Sequence, residues 1–287
     1  MDSPRRHPMA VATARHPGSS MTAGGPAPVE TDAGGEPAVL VTCLGRFQFR
    51  LPAGHPIEWR STKSRALLQY LLNHRDRPIP RDTLIEALWP DPRALAPATS
   101  LKVAVHGLRH ALASGGTDLP VTIVAHRSAY SLEASRIWLD VEEFEHCYQT
   151  GRASEARGFI AEALRYYARA AELYRGDFLE EIADEWPVFR REALKDQYLF
   201  AATALARAAI TSGDYQEGVA LCQQILTRDR CREEAYQMLM VCHGKLGQRG
   251  RIRCWYDLCV RTLKTELDCN PAPETSDTYL RALSGAL

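Results

Sequence analysis

The second half of the sequence repeats itself with a period of 34 residues. Small and apolar residues recur at this separation, since Ala201, Ala204, Leu205 and Ala208 align with Ala235, Met238, Leu239 and Cys242. Other positions follow in the same register, since Gly213, Leu221 and Ile225 align with Gly247, Trp255 and Cys259. Small residues suit the places where two helices approach closely, and glycine suits the turn between them. The sequence therefore predicts an array of paired helices.

The helical pattern begins near Trp138 and is interrupted at a few turn residues, namely Gly151, Gly176, Gly213, Gly247 and Pro271. An earlier helix pair is predicted over residues 141–150 and 155–174, and an insertion over residues 175–186 sets it apart from the later pairs. A period of 34 residues is that of tetratricopeptide arrays. We therefore expect about three repeats, with a concave surface for protein segments and no preformed catalytic cleft.

The segment before the repeats has a different pattern. Residues 39–50 alternate β-branched and aromatic residues with others, residues 51–54 have turn chemistry, and a short β-like segment follows over residues 57–59. Ser61 or Thr62 is positioned to cap a first helix that ends near Asn73, and a second helix opens after Pro80 and is stopped by Pro90. A small sheet followed by two short helices is predicted.

A third helix, over residues 99–113, separates apolar from polar side chains. Its apolar positions, spaced at i, i+4, i+7 and i+11, are Leu101, Val105, Leu108 and Leu112. They form a narrow stripe that faces a core, and a second face carries Thr99, Lys102, His106, Arg109 and His110. A polar helix face is usually only a solvated one, so the segment after the helix decides its interpretation.

Two β-like runs lie within residues 121–132, separated by His126, Arg127 and Ser128. Three helices and a hairpin with a basic tip are the order of a winged helix-turn-helix, in which the third helix enters the major groove. Lys102 and Arg109 can then donate to guanine or phosphate, Thr99 and Ser100 can bond a phosphate, and Arg127 can contact the DNA backbone. The full predicted DNA-binding set is Thr99, Ser100, Lys102, Val103, His106, Arg109, His110, Arg127 and Ser128.

The net charge also differs between the first region and the helical repeats. Residues 38–133 hold 12 Lys and Arg against 7 Asp and Glu, a net charge of +5, whereas residues 134–287 hold 20 against 24, a net charge of −4. Residues 1–37 are rich in Pro, Gly, Ala, Ser and Thr and have few large apolar residues, so a disordered tail is predicted there. We expect a tail over residues 1–37, a DNA-binding domain over 38–136 and a helical domain over 137–287.

Several other classes of protein are not favoured by the sequence. The eight cysteines form no C-x-x-C pair, so reduced core thiols are expected in place of a metal site or a disulfide scaffold. The nine histidines lie in no recognised catalytic motif, and no metal or other cofactor is predicted. No secretory signal or membrane span is apparent, which favours a cytoplasmic, nucleoid-associated protein that is not an enzyme.

Four segments carry resemblances to two known families of domains. The run from Pro80 to Pro90, the helix over Leu101 to Leu112 and the strands over Ile123 to Leu132 resemble the OmpR-type winged helix. The family often has an arginine before the Leu-Arg pair of the third helix, and this chain has Gly107 there. The run Leu173-Tyr-Arg-Gly-Asp-Phe-Leu179, with Trp186 and the repeats after it, resembles the bacterial transcriptional activation domain.

This domain order is that of the Streptomyces antibiotic regulatory protein (SARP) family. The resemblance implies a mixed fold: an α+β winged helix followed by an all-α tetratricopeptide-like domain. It also implies a pathway-specific activator of antibiotic or other secondary-metabolite genes that binds tandem direct repeats near the −35 element as a side-by-side dimer. The implied partners are double-stranded promoter DNA and RNA polymerase holoenzyme including its sigma factor, with no membrane.

The absence of a receiver domain, a P-loop and a forkhead-associated segment leads us to expect a small, constitutively competent regulator. One alternative stays open. The chain could be a tetratricopeptide-type scaffold in which the winged helix no longer binds DNA.

Overall fold

The computed structural model describes residues 39–51, 57, 59, 61–75, 77–91, 96–114 and 119–287. The first elements are β1 (Val39–Thr42), β2 (Gln48–Arg50), α1 (Thr62–Leu72), β3 (Ile79–Pro80), α2 (Arg81–Leu88), α3 (Pro97–Ala113), β4 (Val121–Ala125), β5 (Ala129–Ala134) and β6 (Ile137–Leu139). The later elements are all helices, namely α4 (Asp140–Ala156), α5 (Ile160–Leu173), α6 (Val188–Ser212), α7 (Tyr215–Arg228), α8 (Glu233–Lys245), α9 (Arg249–Leu267) and α10 (Pro273–Ser284). The tail predicted over residues 1–37 lies outside the described residues.

A three-stranded sheet with the order β2-β1-β6 opens the structure. β1 and β2 are antiparallel, with Val41 opposite Phe49, whereas β1 and β6 are parallel. The small sheet predicted from residues 39–50 is therefore present, and the chain turns between its strands β1 and β2. Within that turn Gly45 has φ +101°, and the backbone of Cys43 bonds to the distant side chain of Asp140 in place of a neighbouring strand.

The β-like segment predicted over residues 57–59 is not a strand at its described ends. Ile57 is buried, and the ring of Trp59 packs against those of Phe47 and Phe49 at centroid distances of 6.4 and 6.3 Å. Of the turn predicted over residues 51–54, only Leu51 is described. Trp59 therefore contacts the first sheet through aromatic packing.

The first two helices agree with the prediction. Ser61 is the N-cap of α1, where its hydroxyl accepts from the backbone N–H of Ser64, and Asn73 is the C-cap. α2 begins after Pro80 and ends one residue before Trp89. Strands β3, β5 and β4 form a second antiparallel sheet, which closes the core over α1 to α3.

Helices α4 to α9 form three antiparallel pairs, and α10 packs against α8 and α9. Gly213 lies in the left-handed region at the end of α6, and Gly247 has the same conformation just after α8, as the glycine pattern predicts. The predicted break at Gly151 was wrong, because Gly151 lies inside α4 and the chain turns at residues 157–159. A Cβ atom at Gly151 would lie 2.6 Å from the ring of Tyr167, so this glycine serves close helix packing.

The winged-helix region and the helical stack share one continuous buried core, which runs from Val39 to Leu239. The insertion predicted over residues 175–186 is one of the places where the two regions meet. The N–H of Leu179 donates to the carbonyl of Cys43 at 2.8 Å, and Leu44 and Phe178 form an isolated β-bridge. The insertion therefore packs against the first sheet.

Candidate nucleic-acid interface

α3 separates a buried face from an exposed one. Its buried residues are Leu101, Ala104, Val105, Leu108, Ala111 and Leu112, which include the whole predicted apolar stripe. Its exposed residues include six of the predicted DNA-binding set, namely Thr99, Lys102, Val103, His106, Arg109 and His110. We call these six residues the exposed face of α3. Val103 keeps 66% of its surface accessible.

The start of α3 is fixed by backbone conformation. Ala96 is left-handed at φ 51°, and Pro97 occupies the first turn, where a missing N–H is no loss. Ser100 is half-buried, and its hydroxyl donates to the Ala96 carbonyl at 3.3 Å. The helix has no side-chain cap at this end, so its first N–H groups have no side-chain acceptor.

Arg109 lies at the edge of the exposed face and ties α3 to the hairpin. Its Nη2 atom donates to the carbonyl of Ile123 in β4 at 3.0 Å. A guanidinium group has five N–H donors, so this bond leaves others for a ligand. Arg109 thus holds β4 beside α3 while part of its side chain stays exposed.

Gly107 lies beside α1 and outside the exposed face. A Cβ atom there would come within 2.7 Å of the Ser64 hydroxyl, which donates to the Ala104 carbonyl at 3.0 Å. The departure from the family at this position therefore has a packing reason. A side chain at Gly107 would have to displace the Ser64 hydroxyl from its bond to the Ala104 carbonyl.

The tip of the β4–β5 hairpin exposes Arg127 and Ser128, as predicted. The N–H of His126 donates to the carbonyl of Ala129 at 2.9 Å and closes the turn. The ring Nε2 of His126 lies 2.8 Å from the Ser131 hydroxyl. Two predicted site residues thus project from a hairpin with a defined turn.

Arg81 anchors this hairpin, and sequence reasoning missed it. Its backbone N–H donates to the carbonyl of Ser128 at 3.0 Å, and its Nη2 donates to the carbonyl of His126 at 3.3 Å. The guanidinium also lies 5.3 Å from the ring centroid of Tyr130. Its position at the start of α2 gave no signal of these long-range contacts.

Cysteines and acidic groups in the described residues do not form a metal centre. Within those residues, no group of three or more His, Cys, Asp or Glu side chains is arranged to hold a metal ion. All eight cysteines are free, and burial raises the pKa of Cys147, Cys222 and Cys259 to about 12. Such thiols stay protonated at neutral pH and behave as apolar core groups. Cys254 and Cys269 are exposed, so the expectation of core thiols does not extend to them.

A membrane-spanning helix is likewise not found in the described part of the chain. None of its helices is both long enough and apolar enough to cross a bilayer.

Comparison with known proteins identifies both regions. Residues 139–283 match the family model of the bacterial transcriptional activator domain, and residues 55–129 match that of the C-terminal domain of transcriptional regulatory proteins. The transcriptional regulatory protein MoaR1 of Mycobacterium tuberculosis is 27% identical over 249 residues, which cover 86% of this chain and 79% of MoaR1.

EmbR is a second relative. The transcriptional regulatory protein EmbR of Mycobacterium bovis is 27% identical over 242 residues, which cover 84% of this chain but only 61% of EmbR. The structure of Mycobacterium tuberculosis EmbR in complex with a low affinity phosphopeptide superposes with a TM-score of 0.68 at 25% identity, and covers 86% of this chain and 65% of that one. The chain therefore belongs to the SARP family, whose members join an OmpR-type winged helix to a bacterial transcriptional activator domain, and it is a transcriptional regulator of the SARP and EmbR type.

Proposed function

We propose that this protein binds double-stranded promoter DNA sequence-specifically, with α3 in the major groove and the β4–β5 hairpin on the phosphate backbone. Lys102 and Arg109 donate to guanine edges or phosphates, and Arg127 and Ser128 contact the backbone beside the groove. Thr99 and Ser100 bond a phosphate through their hydroxyl groups at the start of α3. His106 and His110 contact the groove from the middle of the helix.

One observation carries this proposal, namely the composition of the exposed face of α3. This face combines Lys102 and Arg109 with Val103, which keeps two-thirds of its surface in water. A thymine methyl group in the major groove is a suitable apolar partner for such a side chain. The cationic and polar residues around Val103 supply the donors that base edges and phosphates accept.

The proposal also assigns roles to the helical domain and to the assembly of two protomers on DNA. Two protomers bind tandem direct repeats near the −35 element, about one helical turn apart, which places both on the same side of the duplex. The helical domain, residues 137–287, recruits RNA polymerase holoenzyme through its sigma factor, and the protein activates genes of an antibiotic or other secondary-metabolite pathway. It works on the nucleoid in the cytoplasm and catalyses no reaction.

Immunoprecipitation of bound DNA from the native host, followed by gel-shift titration of the recovered sites, tests this function. Lys102→Ala in the exposed face is compared with Lys264→Ala in α9, which pairs with Asp268 far along the chain from the winged helix. We expect the first variant alone to lose affinity, and the affinity of the parent to fall steeply with salt. Recovery of no discrete sites, with no shift at low salt, would refute DNA binding and favour a protein-binding scaffold.

A further inference from the structure

A cavity of about 640 Å³ opens between α5, α6 and the start of α8. Its walls are mostly apolar, with Ile160, Ala163, Leu164, Phe200, Ala204 and Ala208 among the lining residues. Small-molecule sites have volumes of roughly 300 to 1,000 Å³ and mostly apolar walls. The alanines on the facing helices keep this space open, because larger residues at those positions would fill it.

One polar group in this cavity has no partner. Thr203 is 6% exposed and lines the cavity, and its hydroxyl makes no hydrogen bond to any of the described residues. A buried hydroxyl without a partner is unfavourable, so such groups are usually bonded to a side chain, water or a ligand. Other polar groups here are already bonded. The Tyr167 hydroxyl, for example, donates to Glu155 at 2.7 Å.

Charge is uneven around the cavity. At the side formed by α6 and α8, Arg207 and Arg232 both pair with the single carboxylate of Glu234, and Arg232 lies 3.9 Å from it. Two guanidinium groups on one carboxylate leave one net positive charge on this side of the cavity. The other carboxylate in the lining, that of Glu155, lies on α4 and pairs with Arg152 at 3.8 Å. Arg207 keeps 69% of its side chain exposed and can therefore turn towards an incoming anion.

We propose that this cavity binds a small aromatic carboxylic acid. The ring system packs among the apolar walls beside Phe200, and the carboxylate pairs with Arg207 and Arg232. The Thr203 hydroxyl is itself buried behind the cavity wall, and the side chain turns about its Cα–Cβ bond to bring this hydroxyl to an oxygen of the ligand. The cavity lies wholly within the helical domain and shares no residue with the exposed face of α3. The inference goes beyond the proposed function and does not depend on it.

Calorimetric titration of the full chain without DNA tests the proposal with two matched probes, naphthoate and its neutral counterpart naphthalenemethanol. We expect naphthoate to bind several-fold more tightly, since an ion pair at an exposed site contributes about 2- to 5-fold. Arg207→Gln removes the excess charge and should abolish this preference while leaving the neutral probe unchanged. Thr203→Val removes the hydroxyl at nearly constant volume and should weaken naphthoate about 3- to 10-fold.

A third variant tests the location. Ala208→Phe fills the cavity and should weaken both probes by more than about 10-fold. Ala153→Phe adds the same ring at an exposed position of α4 that does not line the cavity, and should bind both probes like the parent. If Ala208→Phe fails to fold, the Arg207 and Thr203 variants decide the question alone.

Three results would overturn the proposal. They are no binding of naphthoate at about 1 mM, equal affinity for the acid and the alcohol, and equal losses in the Ala208 and Ala153 variants. Since no DNA is present in the titration, these results would not test the proposed promoter binding. A failed gel shift would likewise not test ligand binding in the cavity.

Discussion

The Oδ1 atom of Asp140 accepts a hydrogen bond from the backbone N–H of Cys43 at 2.7 Å, across 97 residues of chain. Its Oδ2 atom accepts from the N–H of Leu44 at 2.9 Å. Asp140 is the first residue of α4, so this carboxylate fastens the beginning of the helical stack to the turn after β1. The two regions are joined by a buried polar contact as well as by a shared apolar core.

This contact makes stability depend on pH. Burial raises the pKa of Asp140 from 3.8 to about 6, although the backbone N–H groups of Leu44, Cys43 and Val141 act in the opposite direction. The folded protein therefore holds a proton that the unfolded chain releases between about pH 4 and 6. The contribution of Asp140 to the free energy of unfolding is then largest below pH 4 and falls by about 3 kcal/mol as the pH rises to 6.

Urea unfolding of the parent and of Asp140→Asn across this pH range measures the effect. Asparagine does not titrate, so the parent-minus-variant difference in the free energy of unfolding should decrease from pH 4 to pH 6 and then stay level. Comparing the two proteins removes the contribution of other carboxylates. A difference that grew with pH would mean that the N–H groups outweigh burial and that the pKa is lowered.

Two helical glycines should respond in opposite directions to alanine. Gly151→Ala places a methyl group against Tyr167 and should lower the free energy of unfolding by about 1 to 3 kcal/mol. Gly250→Ala in α9 meets no atom within 4 Å and should raise it by up to about 0.5 kcal/mol through better helix propensity. Thermal unfolding followed by circular dichroism compares them. A stabilised Gly151 variant would contradict the close packing of α4 on α5.

The opposite roles of these glycines explain why the turn predicted at Gly151 was wrong. Glycine is common both in turns and where helices approach closely, and the sequence pattern alone does not separate the two uses. Gly213 and Gly247 have left-handed backbones, whereas Gly151 is helical although the pattern predicts a turn there. Gly151 is needed there because the ring of Tyr167 packs against it. This contact between two helices is visible only in the packed structure.

The helices and strands were predicted from residues that are close together in sequence. The turn after β1 and the position of the hairpin depend on residues that are far apart in sequence. The apolar stripe of α3 and the Ser61 cap are properties of a few neighbouring residues, and both were predicted. The turn after β1 depends on Asp140, and the hairpin position depends on Arg81. Partners so far apart in sequence leave no periodic signal, so these contacts could not be predicted.

Arg191 should contribute strongly to the stability of the protein, because it holds residues 175–186 in place. Its Nε donates to the carbonyl of Phe178 at 2.8 Å, and its Nη2 donates to those of Leu179 and Ile182 at 2.8 and 3.0 Å. Arg191→Met keeps an unbranched, flexible side chain but leaves three carbonyls of buried residues without this donor. We expect a loss of about 2 to 3 kcal/mol in the free energy of unfolding.

Arg165→Met, at an exposed position of α5, is the matched control for Arg191 and should change stability by less than about 0.5 kcal/mol. Urea denaturation measures both variants. Equal stability of the two would show that water replaces the guanidinium of Arg191 without cost.

The exposed face of α3 and the hairpin should make separable contributions to DNA binding. Under the proposed function, Arg109→Ala should cost about 1 to 3 kcal/mol at the specific site and change the preferred sequence, because it removes a base contact. Arg127→Ala should weaken all duplexes similarly and reduce the slope of log affinity against log salt by about 1.

Arg81→Met provides the decisive comparison, because it leaves every proposed DNA contact in place but removes the side-chain contacts of Arg81 with His126 and Tyr130. It should behave like Arg127→Ala, with lower affinity and unchanged sequence preference. Gel-shift titrations on specific and scrambled duplexes at several salt concentrations separate the three variants. Parental binding by both the Arg109 and Arg127 variants would mean that α3 and the hairpin do not contact DNA as proposed. A changed sequence preference in Arg81→Met would mean that the hairpin positions the reading helix itself.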